Sequence, residues 1–284
     1  KVRYLILGSA SPQLLHQSSE TLAGRIAFME IVGFHQENVS INKLETLWLR
    51  GGFPNAYLAK NEKASFEWRQ NFIATFLERD IPNLGLQIPS RTLQRFWSML
   101  AHYHGQLFNA SEIGRSLGVS DHTARRYLDL LTATFMIREV KPWFYNAKKR
   151  VIKSPKIYFR DSGILHALLS IENKKGLTGH PKLGASWEGF IVEEVVKSLD
   201  LREGQVYFWG VHTGAEMDLI FEKNGRLYGI EVKYTQAPSV TPSMKSAIVE
   251  LSLKHVWIIY PGQQKYALSK NVTATPLAEF SFKA

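Results

Sequence analysis

The sequence predicts a multidomain protein that combines α/β and α+β architecture. Short apolar runs typical of strands alternate with segments in which apolar residues recur at helical spacing. Residues 107–160 pair two short helical segments with two strand-like runs, and residues 184–260 follow the order helix, strand, strand, strand, helix, strand. The 284 residues also exceed the size of one ordinary domain, about 100 to 200 residues. We predict domains at 1–60, 61–175 and 176–284.

Composition limits the class of protein. Apolar residues make up 45% of the chain, which is typical of a folded globular protein. No apolar run approaches the roughly 18 to 20 residues that span a bilayer. The absence of cysteine excludes disulfides and thiolate metal sites. We therefore expect a cytoplasmic protein with no membrane partner.

The formal charge of +10 is spread unevenly along the chain. Residues 1–183 carry a net charge of +11, and residues 184–284 carry −1. A basic field of this kind favours polyanions, so we expect DNA, most simply duplex DNA, as the partner. A basic surface with no ligand is the alternative.

The first hundred residues are predicted to form one strand and several helices. Residues 3–8 are typical of a buried strand, and a helical period over 38–49 ends at Gly51, Gly52 and Pro54. Ser65 is the expected cap of an amphipathic helix. Another helix is expected over about 90–103.

Residues 107–160 predict a winged helix. Ser111 is expected to begin one helix, Gly118 to make the turn, and Ser120 to cap a second helix. The strand-like runs 136–145 and 151–159 flank the basic tip NAKKR. A helix-turn-helix followed by such a hairpin is typical of DNA-binding modules, whose second helix meets base edges and phosphates.

The predicted DNA contacts lie on that second helix and on the wing. Near the helix N-terminus, polar and basic side chains point away from the apolar face, and the wing tip is basic. The predicted DNA-binding residues are His122, Thr123, Arg125, Arg126, Lys148, Lys149 and Arg150. A winged helix that binds only other proteins is the alternative.

A predicted β-hairpin brings two carboxylates together. Residues 215–233 alternate apolar and polar side chains on both sides of the Asn-Gly dipeptide at 224–225, which favours a type I′ turn. Counting outward from that turn places Asp218 opposite Glu231 on one face. Opposed like charges repel unless a cation lies between them.

The same count places Glu216 opposite Lys233. An exposed hairpin that tolerates one repulsive pair beside this ion pair is therefore the alternative to a cation site. A helix over 185–199 precedes the hairpin and carries Glu188 near its start. A helix over 241–253 and a strand follow it. This order is typical of a restriction-endonuclease-like α/β domain.

Glu188, Asp218 and the run Glu231-Val232-Lys233 resemble the motif of the PD-(D/E)xK nuclease superfamily. The resemblance implies that Glu188, Asp218 and Glu231 bind Mg²⁺. It also implies that Asp218, Glu231 and Lys233 are catalytic, with the lysine holding or deprotonating the attacking water. Hard Mg²⁺ prefers carboxylate oxygens, which agrees with this pattern.

The whole chain is similar to the C-terminal two thirds of a prokaryotic AAA+-type P-loop ATPase that carries a C-terminal domain of unknown function. LILGSASPQLL, LWLRGGFPNAYLA, YFRDSGILHALL and WEGFIVEE carry this resemblance. It implies that residues 1–60 are an ATPase remnant and lid, with Ser9 and Arg25 sensing nucleotide. It also implies a possible homo-oligomer formed through the ATPase domain.

Two features depart from that family. No G-x-x-x-x-G-K-[ST] motif is present, so we expect ATP to bind the full-length protein and not this fragment. Gly210 stands where the family usually has an arginine. The expected function is action on DNA through a winged helix and an Mg²⁺-dependent nuclease domain. The alternative is a regulatory or defence-associated ATPase whose nuclease-like domain only binds a partner.

Overall fold

The computed structural model describes residues 29–84, 88–143, 153–211 and 214–282. The predicted strand over 3–8 lies outside the described residues, and so do Ser9 and Arg25. The wing-tip residues Lys148, Lys149 and Arg150 also lie outside them.

Helices dominate the first half of the described chain, and several more lie between the strands of the second half. They are α1 (Leu44–Arg50), α2 (Pro54–Tyr57), α3 (Glu62–Thr75), α4 (Ile81–Asn83), α5 (Ser90–His102), α6 (Ala110–Leu117), α7 (Asp121–Ala133), α8 (Ser162–Leu168), α9 (Lys174–Thr178), α10 (Leu183–Ser198) and α11 (Pro242–Glu250). A π-helical segment, Phe76–Asp80, joins α3 to α4. None of the described helices is long and apolar enough to cross a membrane.

One mixed sheet contains the strands of the described ranges. They are β1 (Gln106–Leu107), β2 (Ile137–Pro142), β3 (Lys156–Phe159), β4 (Val206–Gly210), β5 (Glu216–Lys223), β6 (Arg226–Val232), β7 (His255–Tyr260), β8 (Tyr266–Ser269) and β9 (Val272–Pro276). Their order is β1-β3-β2-β4-β5-β6-β7-β9-β8. Strands β2 and β4 pair in parallel, with Lys141 beside Tyr207. The sheet therefore continues from one side of residue 175 to the other.

Helices α6 and α7 and strands β2 and β3 follow one another in the predicted order. Ser120 caps α7 by accepting a hydrogen bond from Thr123 N–H. Gly118 has φ +72°, a left-handed conformation that glycine adopts without a Cβ penalty. Helix α6 begins one residue earlier than predicted, because the Asn109 side chain caps it. Strands β2 and β3 then pair antiparallel.

Helix α1 and the segment after it dock closely against α8. A Cβ added to Gly163 would lie 2.0 Å from the Arg50 carbonyl oxygen, so only glycine permits this approach. Buried Arg69 donates hydrogen bonds to the Leu49 and Gly163 carbonyls across the junction. Asp161 caps α8 and also accepts a hydrogen bond from Gly52 N–H. The predicted helix stop at 51–54 thus also forms a contact between helices.

The predicted cap of α3 is wrong. Asn61, not Ser65, accepts the hydrogen bond from Ala64 N–H, and α3 begins at Glu62. Ser65 lies inside the helix and is fully buried. A cap must stand at the end of the helix with extended backbone, and Asn61 has φ −158° and ψ 174°.

The β5–β6 hairpin has the predicted register, with Lys223 beside Arg226 and Leu219 beside Ile230. Asn224 and Gly225 have φ +55° and +69°, as a type I′ turn requires. Both faces of the hairpin are covered. Leu219 packs in the larger core, whereas Ile220 packs in a second core with α11. The parallel strands β6, β7 and β9 explain this, since parallel sheets are covered on both faces.

Candidate functional site

Four carboxylates and two lysines meet where α10, β3, β5 and β6 approach one another. We call this group the acidic site. It consists of Glu188 of α10, Glu216 and Asp218 of β5, Glu231 of β6, Lys156 of β3, and Lys233 directly after β6. Asp218 and Glu231 are 5% and 3% exposed. Buried carboxylates need partners to remain ionised, so the partners decide what this site can do.

Asp218 and Glu231 hold different partners at the end of the hairpin ladder. The Val232 N–H donates a hydrogen bond to Asp218 Oδ2 at 2.8 Å. Lys233 Nζ lies 2.7 Å from Glu231 Oε1. Glu231 Oε2 is buried and has no hydrogen-bond partner among the residues that the structure describes. One carboxylate oxygen is therefore available for a further ligand.

Lys156 belongs to the acidic site, although the sequence did not identify it. It is 5% exposed, and its Nζ lies 3.6 Å from Glu188 Oε1 and 3.9 Å from Asp218 Oδ1. The same ammonium lies 3.5 Å from Glu216 Oε2. The predicted ion pair between Glu216 and Lys233 is therefore replaced, because Glu216 contacts Lys156 while Lys233 contacts Glu231. The alternative of an exposed hairpin is wrong, because Asp218 and Glu231 are both buried.

Tyr158 supports Glu188 from the same strand as Lys156. Its hydroxyl donates a hydrogen bond to Glu188 Oε1 at 2.6 Å. Lys156 and Tyr158 stand two residues apart, so both side chains project from one face of β3. The strand that follows the predicted wing tip therefore supplies two groups to the acidic site.

The electrostatics of the site favour protons on its carboxylates. Burial raises the pKa of Glu188 to about 7 and that of Glu231 to about 8, and the Asp218 charge adds to both. Burial also raises the pKa of Asp218. Burial opposes the charged form of Lys156, but the surrounding carboxylates outweigh it and raise the pKa of Lys156. Clusters of perturbed groups of this kind are typical of functional sites.

The donor chemistry of the acidic site fits a hard divalent cation, whose preferred ligands are carboxylate oxygens such as the free Oε2 of Glu231. The positions of the side chains, in contrast, do not match a metal site. In the described ranges, no group of three or more His, Cys, Asp or Glu side chains has the geometry to hold a metal ion. The Lys156 ammonium instead lies among Glu188, Glu216 and Asp218.

The predicted DNA-binding residues of α7 differ in their surroundings. His122 and Arg126 are exposed. Thr123 is half-buried, and its hydroxyl is 2.9 Å from Ser120 Oγ at the helix cap. Arg125 lies between Asp129 and Glu139, at 2.7 and 2.6 Å. Its guanidinium therefore already has two carboxylate partners, and of the predicted DNA-binding residues on this helix only His122 and Arg126 are exposed.

Two families match the chain over separate ranges. Residues 183–280 match the family described as "Domain of unknown function (DUF4143)". Residues 41–175 match the one described as "Domain of unknown function (DUF8612)". The first match confirms a domain of unknown function at the C-terminal end of the chain. The ATPase, winged-helix and nuclease parts of the resemblance remain predictions. No solved structure matches the chain.

Relatives from three bacteria are similar to the chain. Uncharacterized proteins of Mycobacterium tuberculosis and Mycobacterium bovis are each 48% identical over 274 residues, covering 96% of this chain and 62% of their own length. An uncharacterized protein of Haemophilus influenzae is 25% identical over 250 residues, covering 81% of this chain and 58% of its own length. The chain thus spans less than two thirds of these curated relatives.

Proposed function

We propose that the chain is part of a DNA-acting protein whose C-terminal domain hydrolyses phosphodiester bonds with the help of a divalent cation. One observation carries the proposal. Glu188 from a helix and Asp218 and Glu231 from two adjacent strands meet at one site with Lys233, where Asp218 and Glu231 are buried and Glu188 is half-buried. These are the residue types, in the order along the chain, that the nuclease resemblance implies.

The proposed roles follow from the partners of each side chain. Glu188, Asp218 and Glu231 would hold Mg²⁺, which when bound would neutralise charge that develops on the phosphate. Burial lowers the pKa of Lys233, but Glu231 outweighs burial and the pKa is raised. Lys233 therefore carries a proton, so we assign it the role of orienting the attacking water rather than deprotonating it.

Duplex DNA is the proposed substrate. The basic charge of residues 1–183 supports it, together with the exposed His122 and Arg126 on α7 and the basic sequence at 148–150. Proposals of ATP binding and of a homo-oligomer concern the whole protein and rest on the resemblance alone.

Cleavage of supercoiled plasmid tests this function. We expect nicking with Mg²⁺ or Mn²⁺, no nicking with a chelator, and a loss of at least about 100-fold in Asp218→Asn and Lys233→Ala, the usual effect of removing a group that stabilises the transition state. The matched control is Glu222→Gln, an exposed acid on the same strand β5. Equal nicking by the parent and Asp218→Asn would show that the acidic site does not catalyse cleavage, and would refute the proposal.

One observation favours a second function, in which the C-terminal domain only binds a partner. Lys156 already supplies a positive charge to Glu188, Glu216 and Asp218, as a purely structural cluster would require. A binding module predicts that millimolar Mg²⁺ or Mn²⁺ leaves the melting temperature unchanged. A metal site predicts a rise, because an ion that binds only the folded state stabilises it.

A further inference from the structure

The Lys156 ammonium lies between three carboxylates rather than against one of them. Direct ammonium–carboxylate hydrogen bonds are typically about 2.7 to 2.9 Å long, as between Lys233 and Glu231. Lys156 Nζ is instead 3.5, 3.6 and 3.9 Å from three different carboxylates. The ammonium is shared among the acids and closely bonded to none of them.

We infer that the Lys156 ammonium is a built-in competitor of the divalent cation, which keeps the acidic site in a metal-free resting form and must leave before an ion binds. This inference rests on the proposed function, and it adds a means of regulating the same site. A dication and an ammonium repel one another in the same ring of carboxylates, so the two occupy the site alternately.

The surroundings of Lys156 provide a route out of the site. The Glu216 side chain, one of the three acids, is 52% exposed, so the ring of carboxylates opens to solvent on that side. Lys156 is the first residue of β3, and four flexible methylenes carry its ammonium.

Binding of Mn²⁺ tests the inference without depending on catalysis. Free Mn²⁺ is followed by electron paramagnetic resonance at about pH 8 for the parent and Lys156→Met. We expect Lys156→Met to bind Mn²⁺ about tenfold more tightly or better, because the competing charge is gone. Lys153→Met, which removes an exposed lysine three residues away, is the matched control and should bind like the parent.

The double variant Lys156→Met/Asp218→Asn shows whether the gain belongs to the acidic site, and it should lose the gain. If the parent and Lys156→Met bind Mn²⁺ equally, and Asp218→Asn weakens both, the metal site of the proposed function stands and the competitor role is overturned. If none of these proteins binds Mn²⁺, the metal site fails, and Lys156 is a structural counter-ion.

Removal of a buried charge can prevent folding, so a second variant and a second readout complete the test. Lys156→Gln keeps hydrogen-bond donors near the carboxylates while removing the charge. Its melting temperature should be lower than that of the parent without metal, and Mn²⁺ should restore it. If either variant is unfolded without metal, recovery of the fold on adding Mn²⁺ supports the inference, whereas no recovery at saturating Mn²⁺ overturns it.

Discussion

Buried His166 is expected to make the fold sensitive to acid. The Trp48 Nε1–H donates a hydrogen bond to Ser186 Oγ at 3.0 Å, and the Ser186 hydroxyl lies 2.7 Å from His166 Nε2. His166 Nδ1 lies 2.9 Å from the Leu49 carbonyl oxygen, which can only accept. Nδ1 therefore carries the proton, and Nε2 accepts from the serine. This chain of hydrogen bonds has no place for a second proton on the imidazole.

The magnitude follows from the shift in pKa. Burial lowers the pKa of His166 from its ordinary value of 6.5 to about 3. Between these values the unfolded chain binds a proton that the folded chain does not, so the free energy of unfolding falls as the pH falls. At about 1.4 kcal/mol per pH unit, His166 lowers the free energy of unfolding by about 2.7 kcal/mol between about pH 6.5 and about pH 4.5. Fully buried His104, with its pKa also lowered to about 3, adds a parallel loss.

Urea unfolding between about pH 7 and pH 4.5 measures this slope. We expect His166→Gln to be less stable than the parent at neutral pH, because the imidazole packing is lost. Its dependence on pH should be shallower than that of the parent by about 1.4 kcal/mol per pH unit. His102→Gln, at an exposed position, is the matched control and should keep the parental slope. Parallel slopes for His166→Gln and the parent would refute the reasoning.

Three further substitutions test packing by urea unfolding. Gly163→Ala should lower the free energy of unfolding by about 1 to 3 kcal/mol or more, because the added Cβ meets a backbone carbonyl of α1. Its control is Gly184→Ala, whose Cβ meets nothing within 4 Å and should not destabilise the fold. Gly225→Ala should cost about 1 kcal/mol through its left-handed φ, and no loss would argue against the type I′ turn. Glu193→Gln should lower the free energy of unfolding by about 3 to 5 kcal/mol, because the buried Glu193 carboxylate contacts both Arg138 and Arg160; a near-neutral effect would contradict this.

Local signals in the sequence predicted the elements that depend on local chemistry. The hairpin turn at 224–225 and the Gly118 turn need left-handed backbone, which few residues adopt, so these positions were identifiable. Caps were less certain. Asn61 caps α3, where Ser65 was expected, and the Asn109 cap starts α6 one residue before the expected first residue, Ser111. Several side chains near a helix start can serve as caps, and packing of the helix decides which one does.

The candidate site was predictable only in part. Glu188, Asp218 and Glu231 were named from their order along the chain, and the structure places them around shared lysines. Lys156 could not be found in this way, because its contact with Asp218 depends on the pairing of β2 with β4. That pairing joins residues more than sixty positions apart, and no periodicity or motif within either strand specifies it. In the sequence, Lys156 was one basic residue among several near the wing.

The sheet continues across the predicted domain boundary at residue 175, so residues on both sides of it contribute to the acidic site. The predicted boundary at residue 175 separates Lys156 and Tyr158 from the carboxylates they contact. A fragment that begins after this boundary would keep all four acids and Lys233 but lose the ammonium that lies among three of them. Its carboxylates would then need protons or another cation to remain buried. The acidic site is therefore shared by strand β3 and the C-terminal segment, and the charge of its carboxylates depends on how β3 is docked.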